Sequence, residues 1–318
     1  MYGFYRMRTR RDGPPAGSAR PPTVSGMRTL LLHNLPDRLH ADVIAPLAAA
    51  LTTIGCQVET LHVADVTLTL GPDGPVLHDG PRRVEAPDVV LARVVSEPGP
   101  ARLVAALARS GIRVVNDPAA AAHASDKLVA AVTLARACVP VPEQVYLPRG
   151  QGDADALQAR LGLPVIVKPP RGMWGDGVEL LHTAEQVASR AAPEGRDQGL
   201  LAQRFLPEVS DGDVRLLVVD GRTVAAVRRL PAAGEHRANL AKGATVVPHR
   251  PTRTERAVAE AAARALELTV AGVDLVPTTT GPYVLEVNPN PGLAATGRTT
   301  GVDVFAEVAQ AVVCAARA

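Results

Sequence analysis

A chain of 318 residues, 47% hydrophobic and 21% charged, is long enough for two or three domains and has the make-up of an ordinary globular protein. Its formal net charge of +2 gives no bulk electrostatic case for binding nucleic acid or a membrane surface. No apolar run approaches the ~18–20 residues of a membrane helix and no signal-peptide core is present, so a cytoplasmic protein is expected.

Cys56, Cys138 and Cys314 are scattered and form no CxxC pair. That disfavours a disulfide framework or a zinc site and fits a reducing compartment. Lysine is scarce: Lys127, Lys168 and Lys242 are the three among 34 cationic residues, leaving 31 arginines. Drift in base composition accounts for the arginines but not for where the lysines remain. Each is a candidate for a task that needs a compact ammonium.

Residues 1–26 are rich in Arg, Pro and Gly without periodicity and read as a disordered tail. From residue 27 to about 121 strand and helix patterns alternate. Strands are expected at residues 29–33, 57–62, 88–94 and 113–116, and helices at 42–55 and 100–110. A Gly/Pro/Asp-rich excursion at 71–83 interrupts them. Such alternation implies a parallel, doubly wound layer. No GxGxxG follows its first strand, which disfavours dinucleotide binding. His33 and Asn34 end the first strand, and Arg93 and Ser96 end a later one, where open α/β sheets place ligands.

Residues 123–137 read as one amphipathic helix with Ser125 or Asp126 near its start. Lys127 in its first turn is against the dipole, yet a lysine beside free backbone N–H groups suits an anion. The strand at 165–167 delivers Lys168 to a loop carrying Gly172, Gly175 and Gly177. Backbone amides and an ammonium arranged in this way fit a polyphosphate. The lysine precedes the glycines and no helix follows, so this is not a Walker A loop. A strand is expected at 200–206. A hairpin at 213–219 and 223–229 turns on Asp220-Gly221, a strong signal for such a turn. Arg237, Asn239 and Lys242 then crowd one loop. Helices are expected at 252–266 and 302–316.

Between the last two helices lies a second hairpin, residues 271–276 and 283–287 around a Thr/Gly/Pro turn. The midpoint of Asp274 and Glu286 falls at Thr280 in that turn, so an antiparallel pairing sets the two carboxylates opposite one another. Asn288 shares the face of Glu286 because strand side chains alternate. Two carboxylates and an amide among so many Val and Leu residues call for a hard cation, Mg²⁺ or Mn²⁺ rather than zinc. For Asp274 alone, an acid on a solvated hairpin face is the competing reading. Glu286, inside the apolar run YVLEVN, weighs against it.

Taken in order, Lys127 at a helix start, Lys168 before a Gly-rich loop, QRFL, DVR, RAN, Asp274, and EVN followed by Pro-Gly-Leu resemble the ATP-grasp superfamily. Within it they are most similar to the RimK-like carboxylate–amine ligases, a branch that includes the enzyme adding glutamate to the C-terminus of a ribosomal protein. The resemblance covers residue 116 to the end and weakens before it. It implies an α/β (α+β ATP-grasp) fold: a parallel-sheet N-terminal domain (27–121), a central lobe with a Gly-rich lid (122–198) and a C-terminal lobe with the metal site (199–318).

The resemblance also assigns roles. Asp274, Glu286 and Asn288 would hold two Mg²⁺ or Mn²⁺ ions bridging the phosphates of ATP. Lys127 and Lys168 would contact the phosphates from two sides, under a lid formed by Gly172, Gly175 and Gly177. Arg204, Phe205, Leu206 and Pro207 would be the hinge that bonds adenine, and Asp213 would bind the ribose side. Arg237 and Asn239, with Lys168, would act on the γ-phosphate and an acyl-phosphate intermediate. The substrates would be an amino acid and an amine or carboxylate acceptor: a peptide, protein tail or metabolite. The family's frequent dimers and tetramers leave a homo-oligomer open. A small-molecule dipeptide ligase and a non-catalytic nucleotide-binding protein are the alternatives. This chain departs from the family at Pro289-Asn290-Pro291, Lys242, Pro169-Pro170 and Trp174, where substrate rather than nucleotide would be bound.

Overall fold

The computed structural model describes residues 26–36, 39–72, 74–94, 98–148, 154–172, 175–191, 199–231 and 245–317. Residues 1–25 of the expected tail, Ser96, Trp174, Arg237, Asn239 and Lys242 lie outside them.

The first layer is the expected parallel sheet, with strand order β2 (Gln57–His62), β1 (Arg28–His33), β6 (Val89–Arg93), β7 (Arg113–Val115). Leu30, Leu31 and Leu32 in β1 are all buried, as befits a strand covered on both faces. Leu31 faces helix α1 (Ala45–Thr53) and the chain's last helix, α9 (Val304–Arg317). Leu30 and Leu32 face α2 (Pro98–Arg109) and the segment after β2. That segment is not an irregular excursion. It folds as three antiparallel strands, β3 (Val66–Gly71), β4 (Gly74–Asp79) and β5 (Arg82–Arg83). Leu77 and Val84 bury themselves against the parallel sheet.

Two antiparallel sheets follow. One has the order β10 (Glu179–Leu181), β9 (Val165–Lys168), β11 (Leu200–Arg204), β8 (Gln144–Leu147). Helices α5 (Ala154–Leu161) and α6 (Ala184–Ala191) pack on it through Leu157, Leu161 and Val187. The other runs β14 (Thr245–Pro248), β13 (Arg222–Leu230), β12 (Asp213–Val219), β15 (Val270–Thr278), β16 (Gly281–Asn288). Its strands alternate: Val214, Leu216 and Val218 face α7 (Arg253–Ala265), whereas Leu217 and Val219 share a core with α9. Thr252 and Glu255 close a capping box at the start of α7. The last helix therefore packs on the parallel sheet and on the five-stranded sheet at once.

The single helix expected at 123–137 is two, α3 (Pro118–Ser125) and α4 (Lys127–Arg136), broken at Asp126, whose φ of −101° and ψ of 108° are extended. Its carboxylate accepts from the N–H groups of Leu128 and Val129, the usual work of an N-cap. Cys138 is exposed just past α4, at a left-handed φ of 56°. A short π-helix, His40–Ile44, precedes α1 in the span read as one helix, and α8 (Leu293–Thr300) joins the hairpin to α9.

Candidate active site

In the five-stranded sheet Asp274 of β15 and Glu286 of β16 are cross-strand partners, and Gly272 faces Asn288. A bulge just past Asp274 shifts the register only beyond that pair. On the other side of β15, Arg215 of β12 is the partner of Asp274, and Arg229 of β13 is the partner of Asp213. Partners share a face, so Arg229, Asp213, Arg215, Asp274 and Glu286 form a ladder of charge across four strands.

The contacts in the ladder are short. Arg215 donates from Nε to Asp274 Oδ1 and from Nη2 to Oδ2, each at 2.7 Å. Arg229 Nη2 reaches Asp274 Oδ2 at 2.8 Å. It also bonds Asp213 Oδ2, while its Nε donates to Asp213 Oδ1 at 2.6 Å. Burial would raise the Asp274 carboxyl, but the Arg215 and Arg229 guanidiniums outweigh it and hold the group below the usual carboxylate range. Glu286 is different. Its side chain is 43% exposed and its Oε1 lies 3.6 Å from Lys127 Nζ.

Lys127 owes its place to the Asp126 cap, which makes it the first residue of α4. Its Nζ donates to the Gly172 carbonyl at 2.9 Å, and its own N–H donates to the Pro170 carbonyl at 2.8 Å. The start of α4 therefore holds the root of the Gly-rich loop. Gly175 and Gly177 adopt left-handed φ values of 72° and 69°, and a Cβ on Gly177 would press on the Pro169 ring at 3.1 Å. Lys168, at the end of β9, is buried and donates to Gln203 Oε1 at 2.6 Å. Burial lowers its pKa to about 8; Glu286 opposes that shift and Lys127 adds to it. Each of these charges is therefore close enough to be felt by the others.

The hinge segment follows β11. The Arg204 backbone N–H donates to the Glu143 carbonyl at 2.9 Å, and its guanidinium bonds Glu143 Oε2 at 2.7 Å. Phe205 and Leu206 form the connection to a 3₁₀ turn, Pro207–Asp211.

The turn after the metal-candidate strand is braced from the parallel sheet. Asn116, just past β7, donates from Nδ2 to the Val270 carbonyl at 2.8 Å and to the Pro289 carbonyl at 2.7 Å. Its Oδ1 accepts from the Val270 N–H at 2.8 Å. Arg93, at the end of β6, donates from Nη2 to the Pro291 carbonyl at 2.7 Å. The Asn290 N–H closes onto Asn288 Oδ1 at 2.9 Å. Gly272 is needed beneath this turn, because a Cβ there would stand 2.8 Å from Pro291 Cβ.

The donor chemistry suits a hard cation within limits. A carboxylate has about four lone-pair positions, and three bonds occupy those of Asp274, leaving one on Oδ1. Asn288 Oδ1 likewise keeps one beside its bond to the Asn290 N–H, and Glu286 is open. Among the described residues no three His, Cys, Asp or Glu side chains gather as a metal cage. Two carboxylates and an amide make an oxygen site that phosphate oxygens or water must complete, which is the habit of Mg²⁺. Asp274, Glu286 and Asn288 are the residues whose free oxygen lone pairs could hold such an ion.

Residues 124–312 match the model of the RimK-like ATP-grasp domain. The chain belongs to the RimK-like ATP-grasp family. A "probable alpha-L-glutamate ligase" of Serratia proteamaculans is 34% identical over 254 residues, 79% of this chain and 84% of that one. Its counterpart in Halorhodospira halophila is 32% identical over 254 residues, 79% and 84% of the two chains. Among solved structures, a RimK domain ATP-grasp protein from Sphaerobacter thermophilus superposes with a TM-score of 0.68 at 26% identity, covering 90% of this chain and 99% of that one. D-alanine–D-alanine ligase from Bacillus anthracis gives a TM-score of 0.68 at 15% identity, covering 92% and 97%, and shares the fold.

This RimK-like protein is accordingly an ATP-dependent carboxylate–amine ligase, acting on amino-acid substrates. The comparisons bear out the family, the fold and the enzyme class expected from sequence. No described helix is long and apolar enough to cross a membrane. Of the expected site residues, the structure gathers Asp274, Glu286, Asn288, Lys127 and Gly172, with Lys168 beside them, and sets Asp213 within the charge ladder. Sequence reading singled out neither Arg215, Arg229 nor Asn116 for the site. Arg215 interrupts the apolar run of β12, which was the available signal, whereas Arg229 follows Arg228 in a strand with other polar residues and Asn116 carries no local signal.

Proposed function

We propose that this ligase adds an L-amino acid, glutamate, to the carboxyl terminus of a peptide or protein through an acyl phosphate. The observation that carries this reading is the approach of Lys127 and Lys168 to Glu286, on the ladder that holds Asp274. A cluster with this alternation of sign has a place for a polyphosphate between its cations and its acids. The relatives' description as alpha-L-glutamate ligases supports glutamate as the amino acid.

In this reading ATP lies between the two antiparallel sheets. Phe205 and Leu206 bond adenine, Asp213 serves the ribose side, and Gly172, Gly175 and Gly177 fold over the phosphates. Lys127 and Lys168 neutralise the phosphate oxygens, and Arg215 and Arg229 add fixed positive charge beside Asp274. Mg²⁺ held by Asp274, Glu286 and Asn288 would offset charge on the bridging oxygens. The acceptor carboxylate attacks the γ-phosphorus, ADP leaves, and the glutamate amine then displaces phosphate from the acyl carbon. Arg237 and Asn239 are assigned to the transferred phosphoryl group. Loop closure keeps water from the acyl phosphate. We further assign residues 27–121, 122–198 and 199–318 to the three lobes, with the last helix tied to the first lobe by its packing.

The test is the product. Incubation with ATP, Mg²⁺, glutamate and peptides ending in a free carboxylate is expected to give a species one glutamate residue heavier, with ADP in equal amount. A free dipeptide as the sole product would overturn the terminal-addition reading.

A further inference from the structure

The turn Pro289-Asn290-Pro291 leaves the metal-candidate strand at Asn288, and both carbonyls flanking Asn290 are held by side chains of the parallel sheet. Two polar atoms, one in this turn and one on the strand that braces it, have no counterpart. Arg93 is 5% exposed and its Nε, shut off from solvent, makes no hydrogen bond. Among the described residues no carboxylate lies within ion-pair distance of it, and its Nη2 donates to the neutral Pro291 carbonyl. Asn290 Oδ1 is equally enclosed and makes no hydrogen bond. A guanidinium buried without an anion among the described residues, and a buried amide oxygen without a donor, are each costly to desolvate. A protein that keeps both in adjoining positions gains most if a ligand supplies the missing partners.

The missing partners define that ligand. The orphaned Nε–H of a cation calls for an anionic acceptor oxygen, which a carboxylate supplies. An orphaned amide oxygen calls for an N–H. An α-amino acid carries both on one carbon. The place fits as well. Arg93 ends β6 level with His33 of β1, at the carboxyl edge where open α/β sheets bind ligands. Asn290 stands two residues beyond Asn288, within about 7 Å along the chain, so a group held there is close to the candidate phosphate site. Burial also brings the Arg93 guanidinium down to about 10.

We propose that Arg93 and Asn290 form the subsite for the amine-donating amino acid, Arg93 holding its α-carboxylate and Asn290 Oδ1 accepting a hydrogen bond from its amine. The proposal rests on the ligase reading above. The N–H bond to Asn290 orients the amine so that its lone pair faces the acyl carbon, and the Arg93 pairing fixes the other end. Both atoms are screened from solvent in this structure, so binding requires that they be uncovered.

The test compares L-glutamate with its α-carboxamide, isoglutamine, which keeps the side-chain carboxylate and loses only the group assigned to Arg93. Wild type is expected to favour glutamate by on the order of thirty- to a hundred-fold in kcat/KM, the worth of a charge-assisted pair. In Arg93→Gln that preference collapses to within about threefold. Asn290→Ala is expected to weaken both amine donors alike and keep the preference. An equal loss for acid and amide in Arg93→Gln overturns the proposal and leaves Arg93 as a brace for Pro291. If Arg93→Gln does not fold, Arg93→Lys, which keeps charge but loses the fork, is expected to cut the preference about tenfold; an undiminished preference overturns it. If no amino acid drives turnover in wild type, the terminal-ligase reading fails first. Calorimetric titration of glutamate and isoglutamine into the MgADP-loaded protein then decides the subsite, and equal affinity for the two overturns it.

Discussion

Asp274 and Glu286 face each other across one hairpin, yet Asp274 is buried under two guanidiniums while Glu286 stands open beside Lys127. The two carboxylates therefore have different work. Asp274 is a fixed negative charge whose orientation is set by Arg215 and Arg229. Glu286 is the open one, beside the Lys127 ammonium, and in the proposed reading it is the carboxylate free to take up a cation.

Glu286→Gln should separate the roles. The side chain is part-exposed and its ion pair is long, so its loss costs little stability. Thermal melting within a few degrees of wild type is expected, with turnover reduced about a hundredfold or more. Undiminished ligase activity would remove Glu286 from the metal set.

Arg215→Met should act on stability instead. It leaves Asp274 buried with Arg229 alone, a loss of about 3 kcal/mol for a broken buried pair, read as a lower melting temperature at pH 7. The sign with pH follows from Asp274, whose folded value is held below 3.8. The stabilisation from its pairing is fully present above that ordinary value and is lost as pH falls through the lower, folded one. The variant's deficit should accordingly shrink under strong acid. A deficit that is constant from pH 7 to pH 3 would contradict the pairing.

Lys168 provides a test at the other end of the scale. With a pKa of about 8 it is charged at pH 7 and neutral well above pH 9. Bound phosphate favours the charged form, so MgATP affinity should fall as pH rises past 8, by up to about tenfold per unit. Lys168→Met should bind weakly with a flat profile, measured by calorimetry from pH 7 to 9.5. A flat wild-type profile would place Lys168 away from the phosphates.

How far these features were legible differs for each. The Asp274–Glu286 pairing could be read because the turn midpoint falls on Thr280 and the bulge lies beyond the pair. Lys127 and Lys168 stood out because lysine is otherwise so scarce. Arg215 and Arg229 did not, since in a chain with 31 arginines a further one says little. Helix periodicity could not see the break at Asp126, because the Ala-rich sequence on both sides favours helix equally. Strands β3 to β5 were hidden by Gly71, Gly74 and Pro75, although the alternation VTLTL before the turn was a hairpin signal. Asn116 shows the deeper limit: its bonds run to Val270 and Pro289, more than 150 positions away in the chain, and no local pattern reports them.

Asn116→Ala tests that long link. It strips partners from the Val270 N–H and carbonyl and from the Pro289 carbonyl. A destabilisation of about 2–4 kcal/mol is expected, with weaker MgADP binding as the turn beyond Asn288 loosens. Unchanged melting and nucleotide affinity would show that the turn is held without it.

The central claim, that the acceptor carboxylate is activated by taking the γ-phosphoryl group, is tested most directly by isotope transfer. A peptide whose terminal carboxylate carries ¹⁸O is incubated with ATP, Mg²⁺ and glutamate, and the released phosphate is weighed by mass spectrometry. One ¹⁸O atom is expected in each phosphate, in step with amide formed, because the amine displaces the oxygen that attacked phosphorus. Unlabelled phosphate alongside amide product would contradict it.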